Sequence, residues 1–249
     1  MPILIKYCKP EHNVLDRCHT IRLGTFEYYR ELDPSFAIAD ATEAAESTSV
    51  FSLDTEKASP EAMASVMPLK LGSHSQMRNC SVSRIFPNCF LWCCSQLPEA
   101  LATPDYGTRF DPDYTSSYTI PDANQFAEHV AFLLNSHITS AAFGTDAREM
   151  INRLSVTELR AINLAVLHRK VEYVDNKHSA IEDSVLRTYV PEIPALLRPV
   201  FVKPNTYADD HEYRFVFLFQ HMRLGALPVK KDPVDVPVLP IAATNTGGT

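Results

Sequence analysis

Glu212-Tyr213-Arg214-Phe215-Val216-Phe217-Leu218-Phe219 is the stretch from which the fold reads outward. Aromatic and β-branched residues dominate it, without Gly or Pro, and this predicts a strand. Ile3 to Cys8 reads as a second strand and Thr20 to Thr25 as a third, followed by the aromatic run Phe26-Glu27-Tyr28-Tyr29-Arg30. Cys89-Phe90-Leu91-Trp92-Cys93-Cys94 is a short continuous apolar run, which suits a central strand. Ile162 to Val174 and the edge-like Val200 to Lys203 complete the predicted strands. Asp122 caps a predicted amphipathic helix through Asn135, with Phe126, Val130, Leu133 and Leu134 on its apolar face. Further helical expectations fall on Pro10 to Cys18 and Ile181 to Tyr189, and Val156 to Arg160 reads as a turn or short helix. Strands and helices alternate irregularly, which favours α+β: a mixed, mostly antiparallel central sheet with flanking helices.

These elements predict a single domain over residues 1–235, with a turn at Asp33-Pro34 and an ordered loop over 98–121. Ala39 to Ala64, rich in Ala, Ser, Thr and acids and without a clear period, reads as a mobile insertion, and 236–249 as a disordered tail.

Composition narrows the function classes. The formal charge of −7 argues against a broad electrostatic footprint on DNA or RNA, although a local basic groove remains compatible with it. Only seven glycines are present, and their dispersal excludes a Rossmann fingerprint or a P-loop. The six cysteines include no C-x2-C pair, so they read as reduced thiols and no metal site is expected. The N-terminus passes straight into a strand, and no run approaches the ~18 apolar residues of a membrane span. A cytoplasmic protein with no membrane partner is the expectation.

Two clusters carry candidate chemistry. Glu212 follows the polar loop Asp209-Asp210-His211 and opens the most apolar strand, so it is poised between water and core. The alternative is an ion pair with Arg214, since residues i and i+2 share a strand face. Lys6 and Tyr7, with Arg22, Tyr28, Tyr29 and Arg30, form the second cluster. Guanidinium groups beside rings suit nucleotides and their phosphates; a packed Tyr/Arg surface is the alternative. Arg214 and His221 have the R-x6-H spacing of a helical ribonuclease motif, but the residues between them prefer a strand.

Three stretches together resemble a group of bacterial proteins found among toxin and phage-defence genes. They are Ile5-Lys6-Tyr7 with Arg22-Leu23-Gly24-Thr25, the central Cys89 to Ser95, and Lys203-Pro204 followed by Glu212-Tyr213-Arg214-Phe215. The layout is also similar to ADP-ribosyltransferase toxins, and the resemblance spans residues 1–220. It implies NAD as substrate and Glu212 as the late-strand catalytic carboxylate. It places Ser95 in the middle position to orient NAD, and Lys6 or Arg22 on the ribose or diphosphate. Tyr28 or Tyr29 would stack on nicotinamide, and Tyr7 and Arg214 would line the same site. Departures are visible: Lys6 stands where such toxins carry His or Arg, and the middle strand lacks a Ser-Thr-Ser run. Asp210 lies where a Glu or Gln would precede Glu212. The acceptor is therefore open between protein and nucleic acid. A non-catalytic sensor or interaction module, with an antitoxin or defence-system partner, is the rival expectation; a nuclease is the third.

Overall fold

A computed structural model of the chain describes residues 2–16, 18–32, 43–66, 69, 71, 74–175, 178–187 and 193–238. The expected turn at Asp33-Pro34, the first residues of the expected insertion (39–42) and the tail from 239 onward lie outside the described residues.

The elements are, in chain order, β1 (Pro2–Cys8), β2 (Thr20–Thr25), α1 (Phe26–Arg30), β3 (Ala45–Asp54), α2 (Pro60–Val66), β4 (Gln76–Ile85) and β5 (Phe90–Pro98). Then come α3 (Pro104–Gly107), β6 (Ser116–Ile120), α4 (Ala123–His137), α5 (Thr145–Asn152), α6 (Val156–Leu159), β7 (Ile162–Lys170), β8 (Glu172–Val174), β9 (His178–Glu182) and β10 (Val185–Arg187). The series closes with α7 (Arg198–Phe201), β11 (Val202–Pro204), β12 (Glu212–His221), β13 (Gly225–Ala226) and β14 (Val234–Pro237). The protein is therefore mixed α+β with mostly antiparallel sheets. Among the described residues no helix is long and apolar enough to cross a membrane.

Where one domain was expected, the chain divides into two compact units. The first comprises Met1–Ala39, Asn88–His168 and Glu212–Thr249; the second comprises Asp40–Pro87 and Arg169–His211.

In the first unit, β12, β5, β1 and β6 lie side by side; β13 and β7 also pair with β12, and β2 joins β5 to β14. One face of this sheet is the aromatic core. Phe90, Trp92 and Cys94 from β5 meet Phe215, Phe217 and Phe219 from β12, and α4 covers them with Ala127, Val130, Leu133 and Leu134. The spacing of those four residues is the apolar stripe expected of a helix on a sheet. Asp122 caps α4, its Oδ1 accepting a hydrogen bond from the Gln125 N–H at 3.0 Å. Asp122→Ala is expected to destabilise the first unit by about 1 kcal/mol. Thermal unfolding followed by Trp92 fluorescence checks this, since Trp92 is the chain's only tryptophan.

In the second unit the sheet order is β10-β9-β3-β4, with β3 and β9 parallel, and β8 and β11 form a separate parallel pair. Its centre is ionic as well as apolar. Glu46 on β3 is buried and pairs with Arg84 of β4 and with Arg198 of α7, the latter at 3.2 Å, and accepts a hydrogen bond from Ser179 Oγ at 2.9 Å. Glu43 and Lys203, also buried, face each other at 3.7 Å.

Several sequence expectations need correction. Among the described residues of Pro10 to Cys18 the one helical element is a 3-10 turn over Pro10–His12, because Asn13 Oδ1 takes the Leu15 N–H and bends the chain away from a helix. From 45 onward, the stretch expected to be a mobile insertion forms β3 and α2. Ile181 to Tyr189 is expected as one helix; its described part, 181–187, instead forms the end of β9, a tight turn and β10. Asp183 (φ 48°) and Ser184 (φ 65°) take the two left-handed positions that such hairpin turns need. Arg198–Phe201 is a helical turn, and the strand expected from Val200 begins at Val202. Within 98–121, Ser116–Ile120 is not loop but strand β6, bonded along β1. Val234–Pro237 is strand β14, so the first residues assigned to the tail pair with β2.

Candidate functional site

β5 alternates. With Phe90, Trp92 and Cys94 in the aromatic core, Leu91, Cys93, Ser95 and Leu97 face the other side of the sheet. Register extends this second face across the neighbouring strands. Ser95 sits opposite Glu212 and Cys93 opposite Arg214. On the other edge, Ser95 sits opposite Ile5 and Leu91 opposite Gly24. Ile5, Ser95 and Glu212 thus form one row across β1, β5 and β12. Tyr7, two residues beyond Ile5, shares the face, as does Arg22, two residues before Gly24.

Along that edge of β5 the sheet forks. β1 pairs with residues 95–98 and β2 with residues 90–91, so 92–94 have no strand beside them there among the described residues. Lys6 closes the fork from the core side: its Nζ donates to the Cys93 carbonyl at 2.7 Å and lies 5.0 Å from the centre of the Trp92 ring. Lys6 therefore does not join the face that carries Glu212. Alternation after Tyr7 sends it to the opposite side, where it satisfies a carbonyl that strand pairing leaves open.

Glu212 enters β12 from a sharp corner, because His211 holds a left-handed conformation (φ 46°). Its carboxylate is buried, 7% exposed, and accepts from Arg214 Nε at 2.5 Å, with Arg214 Nη2 3.5 Å from the other oxygen. Arg214 is fully buried. The ion pair anticipated between residues i and i+2 is therefore present, and Arg214 positions Glu212 and does not reach outward to a phosphate. Cys93, opposite Arg214 in the register, is the next residue along this face. Burial first, then the Glu212 charge, hold the thiol well above its ordinary range, against the opposite pull of Arg214 and Lys6. Cys93 therefore stays neutral and is a poor nucleophile.

Tyrosines flank the row. Tyr7 stacks on Tyr106 with ring centres 5.7 Å apart, and Phe110 lies 6.2 Å away. Its hydroxyl is buried without a hydrogen-bond partner among the described residues, and burial, then Tyr106, push its pKa up to about 12. Tyr29 lies over Gly24: a Cβ built there would come within 2.5 Å of the Tyr29 ring. Tyr28 meets Tyr29 edge-on at 5.3 Å. The Tyr29 and Glu212 levels are four residues apart along β5, about 13 Å, so a ligand touching both must be extended. Gly24→Ala is expected to push the Tyr29 ring off the strand and to cost about 1–3 kcal/mol, measured by urea unfolding. A stability within error of the parent would show that the ring yields freely.

Arg22 remains exposed, opposite Asp235 of β14, with its side chain available at the rim. The residues that sequence reasoning missed are Cys93 as a neighbour of Glu212, and Tyr106 and Phe110 as walls around Tyr7. The Tyr- and Pro-rich composition of 98–121 was the only available signal for the last two. Among the described residues no three His, Cys, Asp or Glu side chains gather to hold a metal ion.

Compared with protein-family models, curated proteins and solved structures, the chain matches none. The class that the fold and site define is accordingly structural: an α+β protein whose large sheet carries a buried, Arg-held carboxylate beside a tyrosine-lined fork.

Proposed function

We propose that the face formed by Tyr7, Tyr29, Ser95 and Glu212 binds NAD, and that the chain is an ADP-ribosyltransferase-like toxin or defence effector acting on a macromolecular acceptor. The observation that carries this reading is the row Ile5–Ser95–Glu212. It puts first-strand, central-strand and late-strand positions side by side on one face.

Glu212 supplies an anionic oxygen that stabilises positive charge developing at the ribose C1 as the bond to nicotinamide breaks. Arg214 fixes the orientation of that carboxylate. Ser95, directly opposite on β5, is placed to hold a ribose hydroxyl. Tyr29 and Tyr28 offer stacking surfaces for a planar ring, and Arg22 at the rim suits the diphosphate. The acceptor's nucleophile then takes C1, and nicotinamide leaves with the bonding pair.

A second reading has its own support. Both oxygens of Glu212 already face Arg214, which suits a structural pair in a binding module directed at an antitoxin or defence-system partner. Incubating the chain with adenylate-labelled NAD and cell lysate separates the two. Acid-insoluble label together with free nicotinamide supports the transferase; neither product, from protein shown to be folded by Trp92 fluorescence, overturns it in favour of the binding module.

A further inference from the structure

On the opposite side of β12 a second arrangement has no part in the NAD reading. Tyr213 projects away from Glu212, and its hydroxyl lies 2.8 Å from Nδ1 of His168 on β7. The other ring nitrogen of His168, Nε2, lies 3.1 Å from Oδ1 of Asn124 at the start of α4. An amide oxygen only accepts, so Nε2 carries the proton. In the neutral imidazole Nδ1 is then the acceptor, and the Tyr213 hydroxyl donates to it. The imidazole is also held from the side, stacked on Phe215 with centres 5.3 Å apart and planes 24° from parallel.

This is a hydroxyl, a base and a group that orients the base, the order that activates an oxygen nucleophile. All three are within reach of solvent: Tyr213 and His168 are half-buried, and Asn124 is exposed. The geometry points to Tyr213 as an activated phenol that accepts a group from an acyl donor. The described contacts of His168 are all uncharged. A neutral trigonal carbon suits such a relay better than a phosphoryl group, which calls for cations. In the step, Tyr213 Oη adds to the acyl carbon while its proton passes to His168 Nδ1. The O–C bond forms, the bond from carbon to the leaving group breaks, and His168 returns the proton to the departing atom. Asn124 acts as a positioning residue by selecting the tautomer.

N-acetylimidazole is the probe, applied to the full chain with acetylated tyrosines mapped by mass spectrometry. Tyr28 and Tyr207 are half-buried like Tyr213 and serve as internal references. Tyr213 is expected to react at least about tenfold faster than either, the scale of modest general-base assistance. His168→Phe keeps a ring against Phe215 and is expected to bring Tyr213 within about twofold of the references. Asn124→Ala is expected to slow Tyr213 by at least about threefold and to raise the Nδ1–H tautomer of His168 in ¹⁵N spectra, a readout that a merely structural role would not move. A Tyr213 rate equal to the references, or unchanged in His168→Phe protein that retains the Trp92 emission of the parent, overturns the proposal. Should His168→Phe fail to fold, a tautomer shift in Asn124→Ala without loss of rate overturns it equally.

Discussion

Glu212→Ala is expected to cost the first unit about 3–5 kcal/mol of stability, whatever it does to activity. Arg214 is fully buried and takes its counter-charge from Glu212 at 2.5 Å. Truncation removes the carboxylate that neutralises a guanidinium in a dry interior, where a charge without its counter-charge is far more expensive than the pair. Glutamine at 212 removes the charge but keeps an oxygen that accepts from Arg214 Nε, so its cost falls to the range of a weakened hydrogen bond, about 1–3 kcal/mol. The check is urea unfolding followed by Trp92, which is 4% exposed in the core of the same unit. Equal midpoints for the alanine and parent proteins would contradict this reading of the pair. The practical consequence is that loss of activity in Glu212→Ala cannot separate catalysis from folding, whereas Glu212→Gln can.

Glu46→Ala is expected to be at least as damaging to the second unit. Two guanidinium groups, Arg84 and Arg198, converge on this one carboxylate, and all three residues are buried. Both arginines have other acceptors. Arg84 donates to the carbonyls of Ala64 and Ala195, and Arg198 to Ser65 Oγ at 3.3 Å. None of these carries negative charge. The two cations already oppose each other, and burial, then Arg84, lower the pKa of Arg198 against the pull of Glu46. Without Glu46 that opposition is uncompensated, and a loss of about 3–5 kcal/mol follows. Amide hydrogen exchange over 45–54 reads it as a drop in opening free energy along β3. A change below about 1 kcal/mol would contradict the ionic account of this core.

The strands that build the large sheet were legible because their burial is apolar. β12, β5, β1 and β2 carry runs of Phe, Leu, Ile, Val and Trp that admit few other readings. β3 was not legible for the opposite reason. Its buried alternation runs through Glu46, Thr48 and Val50, and two of those three are polar. A buried glutamate reads as surface until its partners, Arg84 and Arg198, are known, and these come from β4 and α7. The same blindness hid the second unit, whose segments 40–87 and 169–211 are separated in the chain by most of the first.

The candidate site divides along similar lines. That Glu212 and Arg214 share a face follows from strand alternation alone, as does the separation of Lys6 from Tyr7. The row from Ile5 through Ser95 to Glu212 depends on register between strand pairs about 90 and about 120 residues apart in sequence, and local pattern does not encode it. Tyr29 reaches the face only because position 24 lacks a Cβ. The role of that glycine becomes visible once the ring is seen lying on it.

Release of nicotinamide from NAD by the parent chain and by Glu212→Gln, at equal concentrations of protein with matched Trp92 emission, tests the central claim most directly. The account predicts measurable release by the parent and a fall of at least about 100-fold in the variant, the scale of a lost electrostatic stabiliser. Equal rates from the two proteins, or no release from a folded parent supplied with acceptor, would contradict it.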